Sequence, residues 1–139
     1  MAIVVSTPTN SGKVITYSQQ TTARAELALR CAPFNLALFA KMRWASVSVP
    51  QLAGTQGINA GYTRRSLSEL DVESATNWLI TVGMLRREVD GQGLTDSFRL
   101  TPLGLNLVEK WESSGGKLPS VSIFDRIANF STRWFRLPI

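Results

Sequence analysis

The spacing of hydrophobic positions along the chain predicts a mainly helical protein with one pair of strands. Apolar residues recur every three or four positions through much of the sequence, which is the period of one helix face. Pro33, Pro50 and Pro102 each suit the first turn of a helix, and Gly83 suits a helix end. Helices are therefore predicted over 22–32, 33–45, 48–53, about 65–82, 101–112 and 120–136, with the glycine-containing segment 54–63 as a loop.

The longest apolar stripe allows two interpretations. It begins at Leu67 and Leu70 and continues to Val82 in steps of three and four residues. Asp71, however, is a favourable N-cap in the middle of this stripe. The segment is therefore either one helix from about Arg65 or two helices with a break near Asp71.

Residues 84–100 follow a different pattern, which predicts strands. Two segments, 84–89 and 94–100, flank the turn sequence Asp90-Gly91-Gln92-Gly93, and this arrangement predicts a β-hairpin. The alternation in the second strand puts Leu94, Phe98 and Leu100 on one side of the hairpin. One further short edge strand is predicted over 13–18, where β-branched residues alternate with polar ones.

The charge balance points to an anionic partner. The 139 residues contain 15 Lys and Arg against 10 Asp and Glu, which gives a net charge of +5 and a pI near 10.0. A basic protein of this kind favours nucleic acid or a lipid headgroup surface as partner. Most of the excess lies in residues 1–45 and 113–139, whereas the middle of the chain is close to neutral.

The composition disfavours an enzyme and a metal site. There is no histidine and only one cysteine, Cys31, so histidine-based catalysis and thiolate metal cages are excluded, and neither a metal nor a cofactor is expected. Cys31 is interpreted as a small buried residue rather than a redox sensor. No run of about 18 apolar residues and no signal-peptide pattern occurs, so a cytoplasmic location is expected.

Two sequence blocks carry a resemblance to a known superfamily. They are Trp78 to Glu88 (WLITVGMLRRE) and Phe98 to Gly104 (FRLTPLG), which resemble winged helix-turn-helix proteins, especially small bacterial regulators of the MarR and PadR kind. The resemblance covers roughly residues 34–112. It implies a mainly α, α+β fold with a small β-hairpin wing, in which the first block ends the recognition helix and the second closes the wing.

One departure from that pattern leaves undecided which segment forms the second helix of the helix-turn-helix. Some sixteen residues separate the candidate second helix, 49–54, from a recognition helix that begins near Asp71. The superfamily usually has a tight turn there. Either 64–70 is an extra helix, or it is the second helix itself.

The resemblance also implies a DNA-reading surface. The polar face of residues 71–82 would enter the major groove, while arginines before this helix and on the wing would contact phosphates or a minor groove. The predicted DNA-binding residues are Arg64, Arg65, Ser74, Thr76, Asn77, Thr81, Arg86, Arg87 and Arg99. The cluster Glu69, Asp71 and Glu73 opposes this interpretation, because carboxylates repel phosphates.

The predicted organisation has four parts. Residues 1–19 form an N-terminal arm, 20–112 the winged-helix domain, 113–119 a linker, and 120–139 a C-terminal amphipathic helix. That last helix is predicted to form a homodimer interface, which is favoured over contact with a membrane. Its predicted interface residues are Phe124, Ile127, Phe130 and Trp134.

These expectations combine into one leading function. The chain is predicted to be a non-enzymatic, homodimeric, sequence-specific transcriptional regulator whose partner is double-stranded DNA. The alternative is a winged-helix protein–protein adaptor or assembly factor that does not bind DNA.

Overall fold

The computed structural model describes residues 17–115 and 123–135. Within them the chain forms seven helices and one three-stranded antiparallel sheet, so the predicted α+β class is confirmed. The elements are α1 (Gln19–Cys31), α2 (Leu36–Lys41), β1 (Val47–Ser48), α3 (Val49–Leu52), α4 (Gly54–Asn59), α5 (Glu69–Thr81), β2 (Leu85–Asp90), β3 (Gly93–Leu100), α6 (Pro102–Ser113) and α7 (Ile123–Phe135). None of the described helices has the length and apolar character needed to cross a bilayer.

The longest apolar stripe forms a single helix, α5, which starts between the two predicted positions. Ser68 is its N-cap, and the Ser68 hydroxyl accepts a hydrogen bond from the backbone N–H of Asp71 at 3.0 Å. This bond satisfies one of the free donors of the first helical turn. Asp71 therefore lies inside the first turn and does not interrupt the helix.

The helix predicted over 33–45 is shorter in the structure, because its first residues make contacts outside the helix. Phe34 forms an antiparallel bridge with Thr63. The Asn35 side chain donates to the carbonyl oxygens of Gly61, at 3.0 Å, and Thr63, at 3.3 Å. These bonds hold the chain extended, and α2 begins only at Leu36.

The prediction that residues 54–63 form a loop is wrong for the first six of them, which form α4. The close packing around Gly57 explains why a glycine occurs inside this helix. A Cβ at this position would lie 2.3 Å from the carbonyl oxygen of Leu52 and 2.9 Å from the Thr63 side chain. Glycine thus serves close packing of α4 against α3 rather than chain flexibility.

The predicted strand over 13–18 falls mostly outside the described residues. Tyr17 and Ser18 are described and do not belong to a strand. Ser18 instead is the N-cap of α1, since its side chain accepts a hydrogen bond from the N–H of Thr21. The rest of the predicted N-terminal arm also lies outside the described residues.

The predicted hairpin is present as β2 and β3, and β1 pairs with the outer side of β3, giving the sheet order β1-β3-β2. The β2–β3 register shifts between Arg87 and Val89, close to the tip. Phe98 is fully buried, whereas Leu94 near the tip is 74% exposed. Leu94, predicted on the same side of the strand as Phe98, therefore lies outside the core, because the tip extends past it.

The hairpin continues into α6 through a capped turn. The Thr101 side chain accepts a hydrogen bond from the N–H of Gly104 at 3.0 Å, and Pro102 occupies the first turn of the helix. This matches the predicted Thr-Pro helix start. The largest fully buried side chains come from α1, α2, α3, α5, the sheet and the connecting segments, and form one core: Leu29, Phe34, Leu38, Phe39, Met42, Val47, Leu52, Leu67, Leu79, Met84, Leu85 and Phe98.

The C-terminal helix predicted over 120–136 is present as α7, which packs against α1 and α5 of its own chain. Arg30 of α1 forms an ion pair with Asp125 at 2.6 Å. The indole N–H of Trp78 in α5 donates to the Asn129 side chain at 3.0 Å. Polar contacts thus dock α7 beside the surface of α5 that was predicted to read DNA.

Candidate nucleic-acid interface

The solvent-facing side of α5 carries three of the four helix residues predicted to contact bases. Ser74, Asn77 and Thr81 are exposed and line a surface groove of about 490 Å³. Their spacing of three and four residues puts them on one helix face. Hydroxyl and amide groups of this kind can hydrogen-bond to base edges.

Thr76 is the fourth predicted residue, and the prediction is wrong for it. Its side chain is fully buried, and its hydroxyl donates to the Val72 carbonyl oxygen at 2.8 Å. Thr76 follows Val72 by four residues and therefore shares the core-facing side of α5. Leu70 differs in the opposite direction. As part of the apolar stripe it was expected to face the core, but it is 78% exposed.

Residues of the neighbouring elements already contact this face. The Arg133 guanidinium of α7 donates to the Ser74 hydroxyl at 2.6 Å and to its carbonyl oxygen at 3.1 Å. Arg87 of β2 donates to the Asn77 side-chain oxygen at 3.0 Å. A DNA duplex that approaches α5 would therefore meet one guanidinium group beside Ser74 and another beside Asn77.

Four arginines gather at the N-terminal end of α5, and we call them the basic cluster: Arg64, Arg65, Arg126 and Arg133. The backbone N–H of Arg64 donates to the Pro33 carbonyl oxygen at 3.0 Å, which anchors the segment before α5 against the end of α1. Arg65 lines a polar cavity together with Arg126 and Arg133 of α7. Burial and then the nearby charge of Arg126 lower the pKa of Arg64, and burial lowers the pKa of Arg133.

Three of the four arginines of the cluster have no carboxylate partner within the described part of the chain. Among the described residues, Arg64, Arg65 and Arg126 form no ion pair. The sequence predicts Arg64 and Arg65 as DNA-binding residues, but it does not indicate Arg126 and Arg133. These two lie about sixty residues away along the chain, and only the docking of α7 brings them to α5.

The three arginines predicted to lie on the wing belong to the β2–β3 hairpin, and each already has a carboxylate nearby. Glu88 lies 3.4 Å from Arg86 and 3.7 Å from Arg99. Arg87 pairs with Glu73 of α5 at 3.4 Å, and its guanidinium stacks 4.8 Å from the centre of the Phe98 ring. The Arg87–Glu73 pair ties the hairpin to α5, whereas the Glu88 pairs stay within the hairpin. Any phosphate contact by these arginines has to compete with such pairs.

The tip of the hairpin is acidic and apolar. Between positions 88 and 96 the chain contains Glu88, Asp90 and Asp96 and no basic residue. Val89 and Leu94 face each other across the two strands and are 64% and 74% exposed. Such a tip repels phosphates and does not resemble the rest of the proposed DNA surface.

The predicted homodimer residues are described only in part. Ile127 and Phe130 of α7 are 55% and 53% exposed. The side chains of Phe124 and Trp134 lie outside the described part of the structure. The homodimer interface remains a prediction.

Cys31, at the end of α1, lies at the edge of the basic cluster. Burial raises the pKa of the Cys31 thiol, while the nearby charges of Arg126 and Arg30 act in the opposite direction. The thiol donates to the Asp125 carbonyl oxygen at 3.8 Å. No three potential metal-binding side chains group together among the residues that the structure describes.

We therefore expect Cys31 to react slowly with alkylating agents. The thiolate is the reactive form, and a raised pKa lowers its fraction at any pH below that pKa. The rate of alkylation by iodoacetamide, measured against pH, should show a higher midpoint than free cysteine. Arg126→Gln removes the strongest opposing charge and should raise the midpoint further, whereas a midpoint below that of free cysteine would contradict the assignment.

One protein-family model matches most of the chain. The family model described as Npun_F0494-like matches residues 15–133, a range that contains the basic cluster, α5 and the hairpin. No curated protein and no solved structure matches the chain. The family description names no activity.

Proposed function

The chain belongs to the Npun_F0494-like family, and we propose that it is a non-enzymatic, sequence-specific DNA-binding regulator built on a winged-helix domain. The order of elements supports this proposal. Two short helices, α3 and α4, precede α5, and the β2–β3 hairpin and α6 follow it, with β1 completing the sheet. In a winged helix the helix before the hairpin is the one that enters the major groove.

The observation that carries the proposal is the continuity between the polar face of α5 and the basic cluster. Ser74, Asn77 and Thr81 offer donors and acceptors for base edges. Arg64 and Arg65 precede the helix without carboxylate partners among the described residues, so they are available to phosphates. Phosphate contacts position a protein on DNA, and base contacts supply its sequence preference.

The hairpin has a supporting role in this proposal. Arg87 holds Glu73 and Asn77 of α5 from one side, so the hairpin orients the reading helix. Arg86 has the most exposed side chain among the three hairpin arginines, at 53%, and is the one best able to exchange its carboxylate for a phosphate. The acidic tip would point away from the duplex.

We further propose a homodimer that acts in the cytoplasm. The half-exposed Ile127 and Phe130 of α7 support self-association, since such apolar residues are commonly covered by a partner. A dimer with two-fold symmetry would bind two half-sites about one helical turn apart. Sedimentation velocity of wild type and Ile127→Asp tests this, and a wild-type monomer at micromolar concentration would exclude it.

The test of DNA binding is a selection from a random duplex library, followed by anisotropy titrations of the selected and a scrambled duplex at several salt concentrations. We expect the selected duplex to bind about a thousandfold more tightly than the scrambled one. Contacts by Arg64, Arg65 and Arg126 of both subunits of the proposed dimer would give a log–log salt slope of about −5. The proposal fails if no sequence is enriched and neither duplex binds at low salt.

The hairpin tip favours a second candidate function, a protein–protein adaptor. Exposed Val89 and Leu94 between carboxylates suit an apolar pocket with a basic rim. A photocrosslinking amino acid at position 89 should then capture one defined protein in cells, while the same group at exposed position 24 should not. A single partner at position 89 together with no DNA binding would favour this candidate over the first.

A further inference from the structure

A polar cavity of about 270 Å³ lies between the end of α1, the segment before α5, and α7. Three guanidinium groups line it, from Arg65, Arg126 and Arg133, together with the single carboxylate of Asp71 and the hydroxyl of Ser74. With all groups ionised, three positive charges and one negative charge leave a net charge of +2 on this lining.

This charge imbalance contrasts with most of the other arginines in residues 17–115 and 123–135. Five other arginines, on α1, on the hairpin and after α2, each have a carboxylate within 4 Å: Arg30, Arg43, Arg86, Arg87 and Arg99. Arg65 and Arg126 have none among the described residues, although they share one small cavity. Both side chains are exposed, but like charges that line one small cavity repel each other, and a bound anion would remove that repulsion.

We propose that this cavity binds a small ligand that carries a phosphate group. A phosphate has a charge of about −1.5 to −2 at neutral pH, which balances the net charge of the lining. Guanidinium groups bind phosphate oxygens through pairs of parallel hydrogen bonds. The volume lies just below the range of roughly 300–1,000 Å³ for drug-sized ligands, so the ligand is small.

Asp71 indicates what else the ligand carries. Its carboxylate repels the phosphate itself but accepts hydrogen bonds from hydroxyl groups. A phosphate ester with a hydroxyl-bearing body therefore satisfies the lining better than inorganic phosphate does. Because Arg126 and Arg133 belong to α7 and Arg65 precedes α5, such a ligand would also hold α7 in place.

The experiment is a calorimetric titration of the full chain with inorganic phosphate and with glycerol 3-phosphate, with ionic strength balanced by sodium chloride. We expect saturable millimolar binding of inorganic phosphate, tighter binding of glycerol 3-phosphate, and a higher Tm with either ligand. Arg126→Gln should weaken the binding of each ligand by about tenfold, since it removes a charge-assisted contact. Arg24→Gln, an equal loss of charge on the exposed side of α1, should change neither affinity by more than about twofold.

A second variant separates recognition from a general loss of structure. Asp71→Asn should strengthen the binding of inorganic phosphate several-fold, because it removes the repelling charge. Opposite effects of Arg126→Gln and Asp71→Asn would identify the cavity as the site. The inference is overturned if neither probe binds saturably, or if Arg126→Gln binds phosphate as wild type does.

The inference stands apart from DNA binding, although Arg65 and Arg126 take part in both. A chain that binds duplex DNA but neither phosphate probe would overturn the cavity ligand and leave the regulator proposal intact. A chain that binds the phosphate probes but no duplex would overturn the regulator proposal and leave the cavity ligand intact.

Discussion

Gly104→Ala will destabilise the protein by about 3 kcal/mol or more, which is near the upper end for one added methyl group. Gly104 lies in the first turn of α6 and is buried against the connection between α5 and β2. A Cβ would lie 2.2 Å from the carbonyl oxygen of Met84 and 3.1 Å from the Leu100 side chain. The closest atom belongs to the backbone, so it cannot move aside as a flexible side chain would.

The clash would affect several elements at once, because the Met84 carbonyl oxygen also accepts hydrogen bonds from Thr101. The Thr101 N–H and hydroxyl both donate to it, at 3.1 Å each. Moving this carbonyl would disturb the end of β3, the start of α6 and the exit from α5 together. We therefore expect the loss of stability to be accompanied by a loosened hairpin.

Urea denaturation followed by circular dichroism measures this effect. Gly91→Ala is the matched control, since a Cβ at Gly91 meets no atom within 4 Å. It should change the free energy of unfolding by less than about 0.5 kcal/mol, as surface substitutions usually do. Equal stabilities of the two variants would mean that α6 does not approach Met84 as closely as the structure has it.

Replacing both Arg64 and Arg65 with glutamine will weaken DNA binding about 60- to 100-fold per half-site at roughly 0.1 M salt. Each lost phosphate contact lowers the magnitude of the log–log salt slope by about 0.9, and at this salt concentration that corresponds to nearly tenfold in affinity. Specific and scrambled duplexes should lose affinity by similar factors, because phosphate contacts carry no sequence information. The ratio between the two duplexes should therefore stay constant.

Anisotropy titrations over a range of salt concentrations measure both the affinity and the slope. Arg24→Gln with Lys41→Gln removes the same charge from α1 and α2, at exposed positions that line neither the groove beside α5 nor the cavity. This control should keep the wild-type slope and lose less than about threefold in affinity. If both double variants behave alike, binding depends only on net charge and the proposed interface is wrong.

Much of the fold could be predicted because its signals are local. The Thr-Pro start of α6, the end of α5 before Gly83 and the hairpin around Asp90 each depend on a few neighbouring residues. Their backbone conformations follow from those residues alone. The errors occur where a local signal competes with packing. Gly57 resembles a helix breaker but sits inside α4, because no larger residue fits against Leu52.

The candidate site was less predictable for a related reason. Arg64, Arg65, Ser74, Asn77 and Thr81 could be selected because they precede or belong to a single helix whose face follows from its period. Thr76 was misassigned because a threonine hydroxyl can be satisfied inside the core by the carbonyl four residues earlier. A polar residue type alone does not reveal whether its side chain faces solvent.

The order of the elements, the hairpin turn and the helix caps are properties of the chain itself, because they follow from interactions over a few residues. The pairing of charges is a property of the folded molecule. Arg87 meets Glu73, and Arg126 and Arg133 join Arg65, only after helices far apart in sequence pack together. Electrostatic interaction depends on distance through space, and only the packed core sets that distance.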